Sequence, residues 1–150
     1  MAADPWKFYD SFHLYVADGT FDLDTDAFKL ALYQSASNAA TLSSTVLANL
    51  TNEVANGNGY TTGGITLSGV AFTLTGAVAK FTFTAPVWTA SGGSIVTRFA
   101  VLYKSGTANA RVNPLVAYTL LDNTPADVTV TATNTLTITP SGSGVFTISG

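Results

Sequence analysis

The chain has 150 residues, of which 47% are hydrophobic and only 10% are charged, and its formal net charge is −3. This length suits a single domain covering residues 1–150, and the large apolar share excludes a disordered chain. The six basic residues are scattered, there is no cysteine, and no apolar run reaches the ~20 residues of a bilayer span. We therefore expect no nucleic-acid binding, no disulfide and no membrane anchor.

The first predicted element is a helix over residues 5–17. Asp4 can accept hydrogen bonds from the free N–H groups at its start, and Pro5 is preset for a first helical turn. Gly19 supplies a C-terminal stop. Apolar side chains recur at helical spacing between these ends: Trp6, Phe8, Tyr9, Phe12, Tyr15 and Val16. No basic and apolar signal pattern precedes this helix, so we expect synthesis and folding in a cytoplasm.

From Phe21 onward the hydrophobic period changes to two, which is typical of β-strands. A loop over 35–44 and a short helical turn over 45–50 interrupt the series. The predicted strands are 28–33, 65–67, 70–75, 78–84, 87–89, 95–103, 115–121, 128–131, 136–139 and 145–148. The breaks between them hold Gly, Pro, Asn or Asp, which form turns readily. The pattern predicts an all-β fold, an antiparallel and jelly-roll-like β-sandwich with one N-terminal helix.

The predicted strand 95–103 is apolar on both faces. Ile95, Phe99 and Val101 are expected to face one way, and Val96, Ala100 and Leu102 the other. Such a strand is either central in a two-layer core or covered by a neighbouring subunit. Together with the low charged share of the surface, this favours a homo-oligomer.

The segment 52–65 raises the question of a nucleotide site, because it contains four glycines: Gly57, Gly59, Gly63 and Gly64. A P-loop needs a lysine after its last glycine, yet no Lys or Arg lies between Lys29 and Lys80. A dinucleotide fingerprint needs different glycine spacing and a following helix, whereas a strand follows here. We interpret the segment as a tight corner in which glycines take positive φ.

Three aspartates at alternate positions resemble the start of a calcium loop: Asp22, Asp24 and Asp26. The sixth position of such a loop is Ala27 instead of glycine, and the twelfth is Tyr33 instead of glutamate. The interpretation is a solvated acidic face before the first strand. Whether these three carboxylates bind a cation stays open.

Catalytic residues are not evident in the sequence. His13 is the only histidine, and no Gly-x-Ser-x-Gly elbow occurs to present a serine nucleophile. Glu53 is the only glutamate, so a pair of catalytic carboxylates would need distant aspartates. We expect neither an enzyme nor a cofactor.

The N-terminal aromatic residues are the candidate contact with another protein. Trp6, Phe8, Tyr9 and Phe12 carry more apolar surface than one buried helix face requires. Aromatic side chains are frequent anchors at protein interfaces. A core role for the same side chains, at one end of the sandwich, is the alternative.

Several segments together resemble a family of small virion structural proteins from tailed bacteriophages. They are Phe21-Asp-Leu-Asp-Thr-Asp-Ala-Phe-Lys-Leu-Ala-Leu32, Leu50-Thr-Asn-Glu-Val54, Gly57-Asn-Gly-Tyr-Thr-Thr-Gly-Gly64, Val87-Trp-Thr89, Arg98-Phe-Ala-Val-Leu-Tyr103, Pro114-Leu-Val-Ala-Tyr118 and Gly144-Val-Phe-Thr-Ile148. The resemblance implies a β-sandwich that decorates or cements the capsid as many non-covalent copies, with the major capsid protein or other virion proteins as partners. It implies a location in the virion and no catalytic residues.

Two other classes of function remain open from the sequence. A tail, neck or fibre component acting as a receptor- or carbohydrate-binding module would need exposed aromatics, for which Trp88 and Tyr60 are the candidates. A hydrolase acting on host polymers would need clustered acids, for which the three aspartates at positions 22, 24 and 26 are the candidates.

Overall fold

The structure is a computed structural model that describes residues 2–124 and 126–149. About 40% of the residues lie in strands and about 6% in helices. The pairings between the described strands are antiparallel, so the predicted all-β antiparallel class is confirmed. The strands are β1 Lys7–Phe8, β2 Phe28–Tyr33, β3 Ile65–Thr66, β4 Ala71–Thr75, β5 Val78–Thr82, β6 Val87–Thr89, β7 Ile95–Thr97, β8 Phe99–Lys104, β9 Thr107–Ala108, β10 Arg111–Val112, β11 Leu115–Leu120, β12 Val128–Val130, β13 Thr135–Thr137 and β14 Phe146–Ser149. The helices are α1 Phe12–Ala17 and a 3₁₀ turn at Leu47–Asn49.

The central sheet has five strands in the order β1-β11-β8-β2-β3. Its middle strands are apolar at nearly every position because each face is covered by a separate hydrophobic cluster. Leu30 and Leu102 face the larger cluster, whereas Ala31 and Val101 face the smaller one, as the period of two requires. The core therefore lies on both sides of this sheet.

A bulge in β11 explains the one departure from this alternation. The register against β8 shifts between Leu115 and Ala117. Val116 and Ala117 consequently both contribute to the larger cluster, while Leu115 and Tyr118 belong to the smaller one.

The larger cluster joins the central sheet to a three-stranded sheet in the order β14-β5-β4. Aromatic rings connect the two. The Phe28 ring lies edge-on to Phe81 at 5.3 Å between centroids, and Phe81 stacks on Phe146 at 4.9 Å. Three two-stranded sheets, β12-β7, β13-β6 and β10-β9, complete the described fold.

The predicted helix over 5–17 is wrong for its first half. Residues Lys7–Phe8 pair with the edge of β11, the Asp4 N–H donates to the Leu120 carbonyl at 2.8 Å, and the helix begins only at Phe12. Asp4 therefore caps no helix. The edge of β11 satisfies the backbone groups of this segment, and that long-range pairing overrides the helical spacing of the aromatics.

The predicted strand 95–103 is interrupted at Arg98, where the chain passes from one sheet to another. β7 pairs with β12, whereas β8 pairs with β2 and β11. Ile95 consequently joins the larger cluster and not the side of Val101, and Val96 is exposed. The expected assignment of faces is therefore wrong for these two residues, and the apolar faces of β8 are covered within the chain.

Candidate functional site

The glycine-rich segment forms a corner between the end of β2 and the start of β3. All four of its glycines have positive φ, from 73° to 122°, which confirms the predicted corner: Gly57, Gly59, Gly63 and Gly64. A Cβ on Gly59 would overlap the Thr89 carbonyl oxygen, and one on Gly64 would overlap that of Leu30. The corner is thus packed directly onto neighbouring backbone.

Glu53 fixes the shape of this corner. Its Oε1 accepts hydrogen bonds from the Tyr60 hydroxyl and from the Gly63 N–H, both at 2.6 Å. The Tyr60 hydroxyl also accepts the Leu32 N–H at 3.0 Å, and the Tyr103 hydroxyl donates to the Gly63 carbonyl at 2.6 Å. The network ties the corner to β2 and β8. The network was not predictable from the sequence, because its members lie up to 71 residues apart, from Leu32 to Tyr103, with no motif that links them.

The electrostatics of this network do not suit a nucleophile or an anion site. Burial, and then the hydrogen bond to the Glu53 carboxylate, raise the pKa of Tyr60 well above its usual range. Burial also raises the pKa of Tyr103 to about 12, with a smaller contribution from the charge of Glu53. Both hydroxyls stay protonated near neutral pH and act as donors. The Gly63 N–H, which a bound phosphate would need, already donates to a carboxylate.

The three aspartates interpreted from the sequence as a solvated face, with cation binding left open, lie on the turn before β2. The N–H groups of Asp24 and Thr25 donate to the Asp22 carboxylate at 3.1 and 3.2 Å, and the Asp22 N–H donates to Asp26 at 2.7 Å. A hydrogen bond from the Thr25 side chain, followed by these N–H groups, lowers the pKa of Asp22. Lys104 Nζ lies 2.5 Å from an Asp26 oxygen. Within the described residues no three His, Cys, Asp or Glu side chains group around a possible metal position.

His13 is exposed on α1 and packs beside aromatic rings. Its ring lies edge-on to Phe8 and Phe12, at 5.6 and 5.4 Å between centroids. These contacts place His13 at the exposed edge of the larger cluster, beside Phe8 and Phe12.

The four aromatic residues proposed as a protein contact divide into two pairs. Tyr9 and Phe12 are fully buried, and the Tyr9 hydroxyl donates to the Ala39 carbonyl at 2.7 Å. Trp6 and Phe8 are only partly buried, although both pack against the larger cluster. Of the four, Trp6 and Phe8 therefore retain ring surface that another molecule can reach.

Trp6 lines an open groove of about 650 Å³, a volume typical of binding sites. The groove lies between the N-terminal segment, the end of β11, β12, β13 and the start of β14. Its apolar walls include Leu121, Val128, Leu136, Ile138, Val145 and Phe146. Hydroxyls of Thr137, Thr139 and Ser141 contribute polar groups, and among the described lining residues Asp4 is the one charged side chain. The groove suits an uncharged, mainly apolar occupant.

A second exposed apolar surface, which the sequence analysis did not identify, lies at the end of the three-stranded sheet. Leu74, Ala79 and Ile148 stand side by side across β4, β5 and β14, and we call them the apolar row. Leu74 is 71% exposed and Ile148 39% exposed. The next row inward on the same face joins the core: Phe72, Phe81 and Phe146. The spacing of Phe72 and Leu74 by two residues was the available signal.

The aromatic residues proposed for sugar stacking are buried. Trp88 is 4% exposed and Tyr60 is 2% exposed. A ring must present its face to solvent before it can stack on a sugar. Burial of both side chains therefore counts against a carbohydrate-binding module that uses them.

Comparison of the chain with protein-family models, with curated proteins and with solved structures finds no match. The family resemblance drawn from the sequence therefore stays a prediction. Among the described residues, no helix is both long enough and apolar enough to cross a membrane.

Proposed function

We propose that this protein is a non-enzymatic structural component of a tailed-phage virion, which decorates or cements the capsid through many non-covalently bound copies. Its partner is the major capsid protein or another virion protein, and its site of action is the virion, after synthesis in the host cytoplasm. The role requires no cofactor and no contact with nucleic acid or membrane. The sequence resemblance motivates the proposal, and the placement of Trp6 in the wall of the groove carries it.

Trp6 has the properties of an interface anchor. A partly exposed indole beside an apolar groove offers a large contact area for little loss of conformational entropy. The groove has hydroxyls and one carboxylate among apolar walls, and so an uncharged segment of a neighbouring subunit can enter it without stripping water from buried charges. Phe8 stacks on Phe12 with ring centroids 4.1 Å apart, and both pack in or against the larger cluster close to Trp6 in the chain.

The proposal includes a jelly-roll-like sandwich as the scaffold for these contacts. The central sheet and the three-stranded sheet would be its two layers, with the larger cluster between them. The contact between Phe28 and Phe81 supports this arrangement, because these residues lie on opposite sheets and their rings meet within the cluster.

Copy number in purified particles is the first test. Quantitative mass spectrometry should find this protein in hundreds of copies per virion if it covers the shell. A handful of copies would instead assign it to the neck or tail, and absence from purified virions would overturn the proposal.

The contact itself is tested with Trp6→Ala and a matched control, Leu14→Ala. Leu14 is 60% exposed on α1 and is not among the residues that line the groove. We expect Trp6→Ala to weaken binding to undecorated particles at least about tenfold, or ~1.4 kcal/mol. Leu14→Ala should bind like the unmodified protein. If folded Trp6→Ala saturates particles with unchanged affinity, Trp6 is not the anchor.

A further inference from the structure

β4 is an edge strand without the features that usually prevent strand-to-strand association. It is the longest edge strand in the described part of the chain, five residues with the sequence Ala-Phe-Thr-Leu-Thr. Natural edges are commonly very short, charged or interrupted by proline. The edge strands of the central sheet, β1 and β3, follow that rule with two residues each, and β1 carries Lys7. β4 has neither charge nor proline.

The hairpin register shows which backbone groups β4 presents at its outer edge. The turn Gly76–Ala77 joins β4 to β5, with Thr75 opposite Val78 and Gly76 at a φ of +63°. A two-residue turn closes on a hydrogen-bonded pair, and such pairs then alternate along an antiparallel ladder. Thr75 and Thr73 therefore bond to β5, whereas Phe72 and Leu74 direct their N–H and carbonyl groups outward.

We propose that β4 pairs antiparallel with β4 of a second copy of this chain, about a twofold axis at Thr73. Phe72 then lies opposite Leu74 of the second copy, and each such pair exchanges both of its outward backbone hydrogen bonds. The two three-stranded sheets become one continuous sheet of six strands. The apolar row of each copy extends across the axis, which covers the exposed Leu74.

The strand is complementary to itself in this register and in neither of the two registers shifted by one residue. With Thr73 on the axis, apolar side chains meet on one face and threonines on the other. A slip by one residue would place Phe72 opposite a threonine and reverse the faces. The pairing brings no like charges close together, because β4 is uncharged. The nearest lysine on the threonine face, Lys80, directs its Nζ towards the Gly142 carbonyl at 3.4 Å. These features specify a second copy as the occupant.

This interface deepens the proposed function, because it names the surface through which copies associate, yet it is testable in solution without any capsid. The chain contains no cysteine, so Thr73→Cys introduces a single thiol. On the axis the two thiols belong to a non-hydrogen-bonded pair with Cα atoms about 4.5 Å apart, within the range that a disulfide spans. The matched control is Thr147→Cys, an exposed residue on the same face of the same sheet but on β14.

Under mild oxidation, Thr73→Cys is expected to form covalent dimer at least about tenfold faster than Thr147→Cys, because pairing raises the effective thiol concentration. Equal rates for the two variants would overturn the proposal. Sedimentation of cysteine-free protein supplies a second measurement. Leu74→Lys should sediment as a monomer, while Ile148→Lys, on the other edge strand, should remain dimeric.

The opposite pattern, with the dimer lost only in Ile148→Lys, would place the pairing at β14 and overturn the assignment to β4. A protein that is monomeric at high concentration and yet abundant in virions would refute the interface and leave the proposed function standing. A dimer that is absent from virions would do the reverse.

Discussion

The substitution Gly64→Ala tests how closely the glycine corner is packed on the central sheet. Gly64 has a φ of +73°, and an added Cβ would overlap the Leu30 carbonyl oxygen and lie 2.7 Å from the Ala31 Cα. Gly19 has nearly the same φ, +76°, but nothing lies within 4 Å of its Cβ position. Gly19→Ala is therefore a control that carries the backbone strain without the overlap.

The expected magnitudes follow from these two contributions. The left-handed conformation costs an alanine about 1–2 kcal/mol, which applies to both variants. The overlap adds roughly 1–3 kcal/mol to Gly64→Ala, because β2 is paired on both sides and cannot shift without loosening the sheet. We expect losses in the free energy of unfolding of about 2–5 kcal/mol for Gly64→Ala and about 1–2 kcal/mol for Gly19→Ala.

Urea unfolding followed by tryptophan fluorescence measures the difference, since buried Trp88 reports on the core. In a thermal scan, each kcal/mol should lower Tm by roughly 2–4 °C for a chain of this size. Equal losses in the two variants would refute the reasoning, because they would mean that the corner yields to the added methyl group.

Two further predictions concern the tyrosines. Tyr60→Phe leaves the Leu32 N–H without its acceptor and the Glu53 carboxylate with only the Gly63 N–H as donor, and it should cost about 1–3 kcal/mol in urea unfolding. A loss below about 0.5 kcal/mol, the level of a neutral surface change, would contradict the role of the network. Burial raises the pKa of Tyr9, Tyr33 and Tyr60 above their usual range and that of Tyr103 to about 12. Since the folded pKa values exceed the unfolded value of about 10, the protonated tyrosines contribute to the free energy of unfolding. This contribution is complete below pH 10 and is lost as pH rises towards 12 and beyond. Tyrosinate absorbance and circular dichroism recorded together should show these hydroxyls ionising as the protein unfolds. Ionisation of all six tyrosines in a chain that remains folded would refute the coupling between tyrosine ionisation and unfolding.

The strands were predictable because their signal is local. β2 and Val87–Thr89 were predicted with the observed limits, and β4 and β5 were predicted within about two residues. Each carries period-two alternation or a dense apolar run between turn residues. The positive φ of the corner glycines was predictable for the same reason, since glycine density reports on backbone conformation directly.

The N-terminal segment was not predictable in this way, because its partner is distant in sequence. The spacing of Trp6, Phe8, Tyr9 and Phe12 fits a helix, but an extended segment beside β11 also explains the first three, and only Phe12 lies in α1. Phe8, in β1, packs towards the larger cluster, and Tyr9, which directly follows β1, packs towards the smaller one. Only the pairing of Lys7 with Tyr118, 111 residues away, decides between the two, and local periodicity contains no information about it.

The case for association therefore rests on Trp6, which the sequence also suggested, and on Leu74, which it did not, and no longer on the predicted strand 95–103. The apolar faces of β8, for which the sequence left either a two-layer core or a neighbouring subunit, are covered within the chain by the two clusters. Among the described apolar side chains that solvent reaches, the two that we assign to contacts lie at separate places, Trp6 at the groove and Leu74 at the β4 edge. A capsid-bound protein that also contacts its own copies needs two such surfaces, because one surface cannot bind both partners at once. The separation of Trp6 from Leu74 on different elements thus permits both contacts to form on the same molecule.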